Sequence, residues 1–208
     1  MNENRYNIVS NYFQTFPQRP RRPGLVVLLL LGLFWSGCGQ LYRVAPLARV
    51  ERGLPSSRLA DLVIEARGLD GDRSLEQFDA NLPMAGVLAV EVRLTNRGVA
   101  PRALTALGYS VEDANGNAYL PLVPREALKS VMKFYGNRIF QISAHQVTKE
   151  SYEQVALRQS GELAVGEEVH GILFFAIPRQ APLHRGFTLR AGFGPESIRL
   201  ALTEPFRP

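Results

Sequence analysis

Three histidines and a single cysteine are the side chains of this chain best suited to nucleophilic or metal chemistry. They are His145, His170, His184 and Cys38. A hydrolase needs a nucleophile with a base and an orienting acid, and the sequence has no Gly-x-Ser-x-Gly pattern. It has no His-x-x-x-His spacing for zinc either. We interpret the histidines as surface or edge-strand residues of a protein that is not an enzyme. A catalytic site assembled from His145, His170 and nearby acids is an alternative hypothesis.

Acidic residues from position 70 onward could suggest a calcium site. In a loop starting at Asp70, the sixth position is Leu75 and the last is Asn81, where an EF-hand requires glycine and glutamate. We therefore interpret this stretch as a solvated loop. Residues 113–117 could also hold a cation, but their Asn-Gly pair is a strong hairpin signal. The sequence predicts no metal site and no cofactor.

Residues 124–160 differ from the rest of the chain in composition. They hold six basic and three acidic side chains, including all three lysines of the protein. Lys129 and Lys133 are four residues apart and so share one helix face. Cations beside aromatic rings suit anionic headgroups, a phosphate-bearing glycolipid or an acidic protein; the alternative is a solvated helix face whose rings pack on the domain. The candidate binding surface comprises Lys129, Lys133, Phe134, Tyr135 and Arg138.

The net charge of +5 does not indicate a nucleic-acid partner. Residues 1–37 contain four arginines and one acid, so residues 38–208 keep 20 basic against 18 acidic side chains. A nucleic-acid-binding domain is expected to keep a strong basic excess. The sequence therefore predicts no binding to nucleic acid.

The N-terminal part has the composition of an export signal. Three arginines in residues 19–24 precede 11 apolar or glycine residues at positions 25–35. A basic region followed by a short apolar one is typical of a secretory signal. The apolar run is shorter than the roughly 20 residues that span a bilayer. We expect the remainder of the chain to lie outside the cytoplasm.

The order of an arginine pair, an apolar run and Ser-Gly-Cys ending at Cys38 resembles the lipobox of bacterial lipoproteins. The resemblance implies that residues 1–37 are a signal peptide removed by signal peptidase II and that Cys38 carries covalent lipid. Gly39 stands where an aspartate would favour the inner membrane, which implies the outer membrane. Trp35 stands where the family usually has an aliphatic residue, so an uncleaved signal anchor is the alternative.

The exported part divides into a tether and a domain. Residues 38–57 contain prolines and glycines without a sustained period, which predicts the lipidated cysteine followed by a flexible tether. Residues 58–204 then form the domain. A domain of about 150 residues buries enough surface to be stable without disulfides.

Alternating apolar and polar residues predict a mainly β domain. Residues 88–94, 107–111 and 198–202 alternate with one polar face each, as in antiparallel sheets packed on one side. Residues 169–177 are apolar on both faces, as expected of a central strand. About seven strands separated by turns predict an immunoglobulin-like sandwich. The predicted strands are 59–66, 88–94, 107–112, 118–122, 169–177, 187–191 and 198–203.

Residues 124–160 interrupt this pattern as a helical insertion. Pro124 is placed for the first turn of a helix, and a second helix is predicted over residues 144–159. The inward-facing residues predicted for the two helices are Leu128, Val131, Met132 and Tyr135, then Val147, Tyr152 and Val155.

The order of strand, hairpin and strand over residues 58–204 resembles the immunoglobulin-like domains of bacterial surface lipoproteins of unassigned role. This resemblance implies no catalytic residues. We expect a lipid-anchored, non-enzymatic envelope lipoprotein that binds or scaffolds an envelope protein or an anionic envelope glycolipid. The alternative is an accessory lipoprotein of a transport system that binds a small molecule or metal, which requires a concave pocket with converging polar groups.

Overall fold

A computed structural model describes the chain over residues 44–47, 54–136, 142–179 and 186–202, with the backbone alone at 142–145. These residues belong to one compact unit, residues 40–208. The predicted signal peptide, Cys38, Gly39, Arg138 and His184 lie outside the described residues. Within them, no helix has the length and apolar character needed to cross a membrane.

The described chain is mainly β, with antiparallel ladders throughout its sheets. The strands of the first sheet are β1 (Ser56–Leu59), β2 (Leu62–Gly68), β3 (Val87–Asn96), β7 (Pro121–Leu122) and β9 (Glu168–Ala176). Those of the second are β5 (Gly108–Glu112), β6 (Ala118–Tyr119), β10 (Thr188–Phe193) and β11 (Glu196–Ala201). β4 (Arg102–Ala103) pairs with β8 (Glu162–Leu163). The strand orders are β1-β2-β3-β9-β7 and β11-β10-β5-β6.

The two larger sheets share one hydrophobic core. Alternate side chains of β2 and β3, such as Ile64 and Val92, belong to the same buried cluster as Val111 of β5 and Leu189 of β10. All four are fully buried. Alternation therefore places one set of side chains of each sheet against the other sheet.

Three helices cover the opposite face of the first sheet. They are α1 (Gly71–Phe78), α2 (Pro124–Tyr135) and α3 (Ile142–Val155). Their buried side chains join Val87 and Ala89 of β3 in a second cluster. The rings of Phe78, Tyr152 and Phe174 lie 5.1–5.7 Å apart in that cluster and tie α1 and α3 to β9. We call α1, α2 and α3 the helical layer.

The prediction of a polar face on residues 88–94 was wrong. β3 lies in the middle of the first sheet, and nine of its ten residues are buried. Ala89 faces the helical layer, and the Glu91 side chain is buried in an ion network. The other face packs into the core between the sheets, so neither face is exposed to water.

The predicted strand 59–66 is a hairpin, because β1 and β2 pair around a two-residue turn at Ala60 and Asp61. Ala60 adopts a φ of 49° there.

The turn predicted at 113–117 is confirmed, since β5 pairs with β6 across it. Of the eleven described strands, seven have four residues or more, and the other four have two residues each. The seven longer strands match the seven predicted segments only in part, because 59–66 covers both β1 and β2 and 118–122 divides into the short strands β6 and β7.

The predicted solvated loop at residues 70–81 was wrong, because α1 occupies most of it. The Asp70 carboxylate accepts a hydrogen bond of 2.9 Å from the Arg73 amide and caps the helix. The second predicted helix ends earlier than expected, at Val155. Tyr152 is fully buried as predicted, whereas Val147 is 47% exposed and does not face inward.

Gly171 allows the chain after α3 to cross β9. A Cβ on Gly171 would lie 2.4 Å from Cα and 2.6 Å from the amide nitrogen of Leu157. The Leu157 amide donates a hydrogen bond of 2.9 Å to the Ile172 carbonyl at this crossing. The contacts are with backbone, which cannot move aside as a flexible side chain would.

We expect Gly171→Ala to lower the free energy of unfolding by about 1–3 kcal/mol, because the added methyl group overpacks the crossing. Denaturant unfolding monitored by circular dichroism would measure it. Gly108→Ala is the matched control, since a Cβ there meets its nearest atom at 3.8 Å. Equal effects of the two substitutions would contradict this reading of the crossing.

Candidate binding surfaces on the helical side

α2 carries a row of cations on its exposed side. Arg125, Lys129 and Lys133 are spaced four residues apart, so they lie along one face of the helix. The side chains of Arg125 and Lys129 are 70% and 76% exposed, and Lys133 is exposed as well. Leu128 and Val131 on the other side of α2 are buried in the helical-layer core, which fixes the direction of the row. We call these three residues the cationic row.

A groove of about 420 Å³ lies between α2 and α3 beside the cationic row. Lys149 of α3 lines the groove opposite Arg125 and Lys129. Met132 is half-buried and adds apolar surface, and Leu128 lies buried beneath it. Glu126 and Gln146 complete the lining, so the groove offers three cations and one carboxylate around a small apolar floor.

Each cation of the groove forms a loose, exposed ion pair, that of Arg125 with Glu126 at 3.9 Å. The Lys129 ammonium is 3.7 Å from the Glu126 carboxylate, and the Lys149 ammonium is 3.8 Å from that of Glu153. Exposed ion pairs of this kind contribute little to the stability of the fold. The cations thus remain able to bind an external anion.

Phe134 and Tyr135 of the predicted surface have structural contacts. The Phe134 ring packs against the helical-layer core, with the Arg179 guanidinium 5.6 Å from its centre. The Tyr135 hydroxyl accepts a hydrogen bond of 3.0 Å from the Asn81 amide. These contacts join the end of α2 to neighbouring segments. Of the predicted surface, Lys129 and Lys133 lie together on the exposed face of α2, whereas the two rings pack against the domain.

A second polar site lies where the helical layer ends on the first sheet. Glu91 of β3 is opposite Arg67 of β2 in the strand register. Its carboxylate lies 2.5 Å from Arg67 Nε and 2.8 Å from His170 Nε2. The Glu91 side chain is 5% exposed. Arg93, two residues along β3, pairs with Glu65 at 3.4 Å and continues the ion network.

The pKa of Glu91 reflects opposing effects. Burial acts to raise it, but the hydrogen bonds and positive charge of His170 and Arg67 outweigh burial, and the pKa lies below its usual range. Glu91 is therefore a carboxylate at neutral pH. His170 lies on β9 opposite Arg93 of β3, beyond the stretch of β9 that pairs with β7, and its side chain is 21% exposed. His170 contacts this carboxylate, and no bond from it to a hydroxyl occurs among the described residues.

A short segment ahead of the domain lies across the helical layer. We call residues 44–47 the strap. The Ala45 amide donates a hydrogen bond of 2.7 Å to the Gln77 carbonyl, and the Gln77 side-chain amide donates to the Ala45 carbonyl. Val44 and Leu47 pack against the helical-layer core. The strap is therefore bound to α1 through both backbone and side-chain contacts.

A cleft of about 290 Å³ lies between the strap and the ion network. Arg67, Arg73, Glu76 and Glu91 line it, and the two bases and two acids balance in charge. Among the described residues, no group of three or more histidine, cysteine, aspartate or glutamate side chains could hold a metal ion.

Asp113, a possible cation ligand in the sequence, is engaged by its own turn. Its carboxylate accepts hydrogen bonds from both amides of Asn117 at 2.8–2.9 Å, and from the Asn115 amide and the Tyr119 hydroxyl at 2.9 Å. These bonds, that of the Asn117 side chain above all, lower the pKa of Asp113 to about 2 against a smaller effect of burial.

Sequence reasoning missed the strap and the ion network. The network gave no signal of its own, because Arg67, Glu91 and His170 lie on the strand faces opposite the core between the sheets, where alternation predicts polar residues. The strap gave a weak signal, because Val44 and Leu47 are apolar residues within a stretch that otherwise has the composition of a linker. Lys149 was within the basic segment but was not assigned to the surface.

We expect Glu91→Gln to lower the free energy of unfolding at neutral pH by about 1.5–3 kcal/mol, because an amide cannot replace a charged partner of Arg67 and His170. A carboxylate with a lowered pKa stabilises the fold above its unfolded-state pKa, about 4.3, and this contribution is lost as the pH falls through the folded-state value. The difference in the free energy of unfolding between wild type and variant should therefore become smaller at acidic pH. Denaturant unfolding at a series of pH values measures it.

The exposed Glu76 in the same cleft provides the control. Glu76→Gln should change the free energy of unfolding by about 0.5 kcal/mol or less at each pH. A Glu91→Gln protein with unchanged stability at neutral pH would contradict the role given to the network.

Comparisons with known proteins give structural neighbours only. No protein-family model matches the chain, and no curated protein matches it. A conserved hypothetical protein from Bacillus anthracis is 13% identical, with 71% of this chain and 92% of that one covered at a TM-score of 0.39. The yjhA protein from Bacillus subtilis is 15% identical, with 65% and 75% covered and a TM-score of 0.34. A functionally unknown protein from Listeria monocytogenes is 8% identical, with 73% and 81% covered and a TM-score of 0.36. Likeness at this level carries no conclusion about the function of this chain.

Proposed function

We propose that this protein is a lipid-anchored, non-enzymatic lipoprotein of the bacterial envelope, whose mainly β domain binds another envelope component through the cationic row and the groove beside it. The observation that carries the anchor is the order of arginines, an apolar run and Ser-Gly-Cys at Cys38. Sorting to the outer membrane follows from Gly39 under the same resemblance.

The distribution of charge supports the binding part of the proposal. All three lysines of the chain lie on α2 and α3, and Arg125, Lys129 and Lys149 line one groove. A local group of cations attracts an anionic partner even when the domain is nearly neutral overall. The proposed partner is an envelope protein or an anionic envelope glycolipid.

An immunoglobulin-like arrangement is the finer part of the fold prediction and belongs to the same proposal. If the immunoglobulin strands A to G are matched in chain order to β2, β3, β5, β7, β9, β10 and β11, the first sheet has the spatial order A-B-E-D, which is β2-β3-β9-β7. The second sheet then has the order C-F-G, which is β5-β10-β11. This supports the arrangement, because immunoglobulin domains pair their strands as A-B-E-D and C-F-G. The helical layer then lies on the outer face of the A-B-E-D sheet.

Binding of a small molecule as a transport accessory is the second candidate function. The observation that favours it is the cleft beside the strap, where Arg67, Arg73 and Glu91 converge. Arg67 and Glu91 already pair with one another at 2.5 Å, so a ligand would have to compete with that pair. We rank this candidate second for that reason.

The anchor is tested by the intact mass of protein extracted from native membranes, for wild type and Cys38→Ala. We expect a wild-type mass that begins at Cys38 with added acyl chains, and a variant that lacks them. An uncleaved, unacylated wild type would contradict lipidation and indicate a signal anchor.

The binding surface is tested by photo-crosslinking from a reactive residue in place of Met132 on the groove floor, in native membranes. We expect adducts with an envelope lipid or protein, and several times less adduct when Lys129→Glu and Lys133→Glu are added, because the change reverses the sign of the row. Arg190→Glu with Arg199→Glu on the second sheet is the control for net charge. Equal adduct yields in the two double variants would contradict the site.

A further inference from the structure

The strap limits how far the domain can move from the anchor. Five residues lie between Cys38 and Val44, so six Cα–Cα steps join the two. A fully extended chain spans at most about 3.5 Å per residue, so Val44 lies within about 21 Å of Cys38. Val44 itself packs against the helical-layer core. The chain therefore leaves the domain from its helical side.

The layers of the domain decide which side can reach the membrane. The helical layer covers one face of the first sheet, and the second sheet covers the other. Packed layers are about 10 Å apart, so the outer face of the second sheet is roughly 20 Å beyond the helical layer. The segment from Cys38 to Val44, at most about 21 Å long, would have to be fully extended to reach the outer face of the second sheet. The helical side lies next to the strap and needs no such extension.

The helical side also carries charge of the right sign in one place. Arg125, Lys129 and Lys133 form the cationic row, and Lys149 faces it across the groove. α1 is more acidic, and on α3 Glu150 is exposed while Glu153 pairs with Lys149 beside the groove. Contact with an anionic surface is therefore centred on α2.

We propose that the helical side lies against the membrane that holds the anchor, and that the cationic row with Lys149 binds phosphates of anionic lipid headgroups. This inference rests on the proposed function, since it takes Cys38 as the lipidated residue. The strap sets the orientation, and Met132 on the groove floor accepts the apolar part of the headgroup region. Each basic residue near an anionic surface strengthens association about fivefold.

The test uses full-length acylated protein in vesicles of phosphatidylcholine, with or without phosphatidylglycerol. Cys38 is the only cysteine, so once it is acylated an introduced cysteine is the single free thiol. Ser130→Cys on α2 and Ser197→Cys on β11 are matched positions for a fluorophore, one on the helical side and one on the second sheet. A lipid with a nitroxide on its headgroup quenches a fluorophore that lies near the membrane surface.

We expect strong quenching at position 130 in vesicles with phosphatidylglycerol, weaker quenching without it, and little at position 197. Lys129→Gln with Lys149→Gln should weaken the association roughly twenty-fivefold and reduce quenching at position 130. Arg190→Gln with Arg199→Gln, which removes the same charge from the second sheet, should not. Added salt should act as the lysine variant does.

Three results would overturn the inference. They are equal quenching at the two positions, stronger quenching at position 197, and quenching at position 130 that neither phosphatidylglycerol nor the lysine variant changes. If position 130 is not quenched while Met132 crosslinks to an envelope protein, the partner is a protein and the proposed function stands without this contact. A protein with unacylated Cys38 would fail in the mass measurement instead, which separates the two proposals.

Discussion

Burial of three aromatic rings is the contact on which the rest of the helical side depends. Phe78, Tyr152 and Phe174 are each at most 1% exposed, and they come from α1, α3 and β9. Aromatic pairs at such distances add about 0.5–1.5 kcal/mol each beyond the burial of their area. The strap is bound to α1, and Lys149 is on α3. Both candidate surfaces therefore depend on these rings, although no ring touches either surface.

The same contact explains the division of the first sheet into a dry and a charged part. Along the helical side of β3, Val87 and Ala89 lie under the helices, and Glu91 and Arg93 follow where the cover ends. Charged side chains at these positions can remain because each has a partner on a neighbouring strand. Burying an ion network costs free energy, because its charges lose their hydration. Substitution of one partner alone leaves the other charge buried and unpaired. The network is therefore weak evidence for a gain in net stability.

Alternation in the sequence predicted the longer strands because a strand with one face in a core must repeat every two residues. It could not predict β3 as a doubly buried strand, since Glu91 and Arg93 have the composition of a wet face. α1 was missed because only Ser74 and Phe78 of its eight residues are buried, too few for a period to show. Of the candidate site, the position of Lys129 and Lys133 on one exposed helix face followed from their spacing. Lys149 reaches the same groove only through the packing of α2 on α3, which no local pattern contains.

The charge of residues 38–208 illustrates why a net value says little about the partners of a domain. Residues 38–208 carry only two more bases than acids, yet residues 124–160 carry three more, so the remainder has a small acidic excess. Exposed charges interact over about 10 Å or less at ordinary ionic strength, which is smaller than the domain. A partner at the groove therefore meets the cations of α2 and Lys149, while a partner at α1 meets mainly acids. The local charge that a partner meets therefore differs from the net charge of the domain.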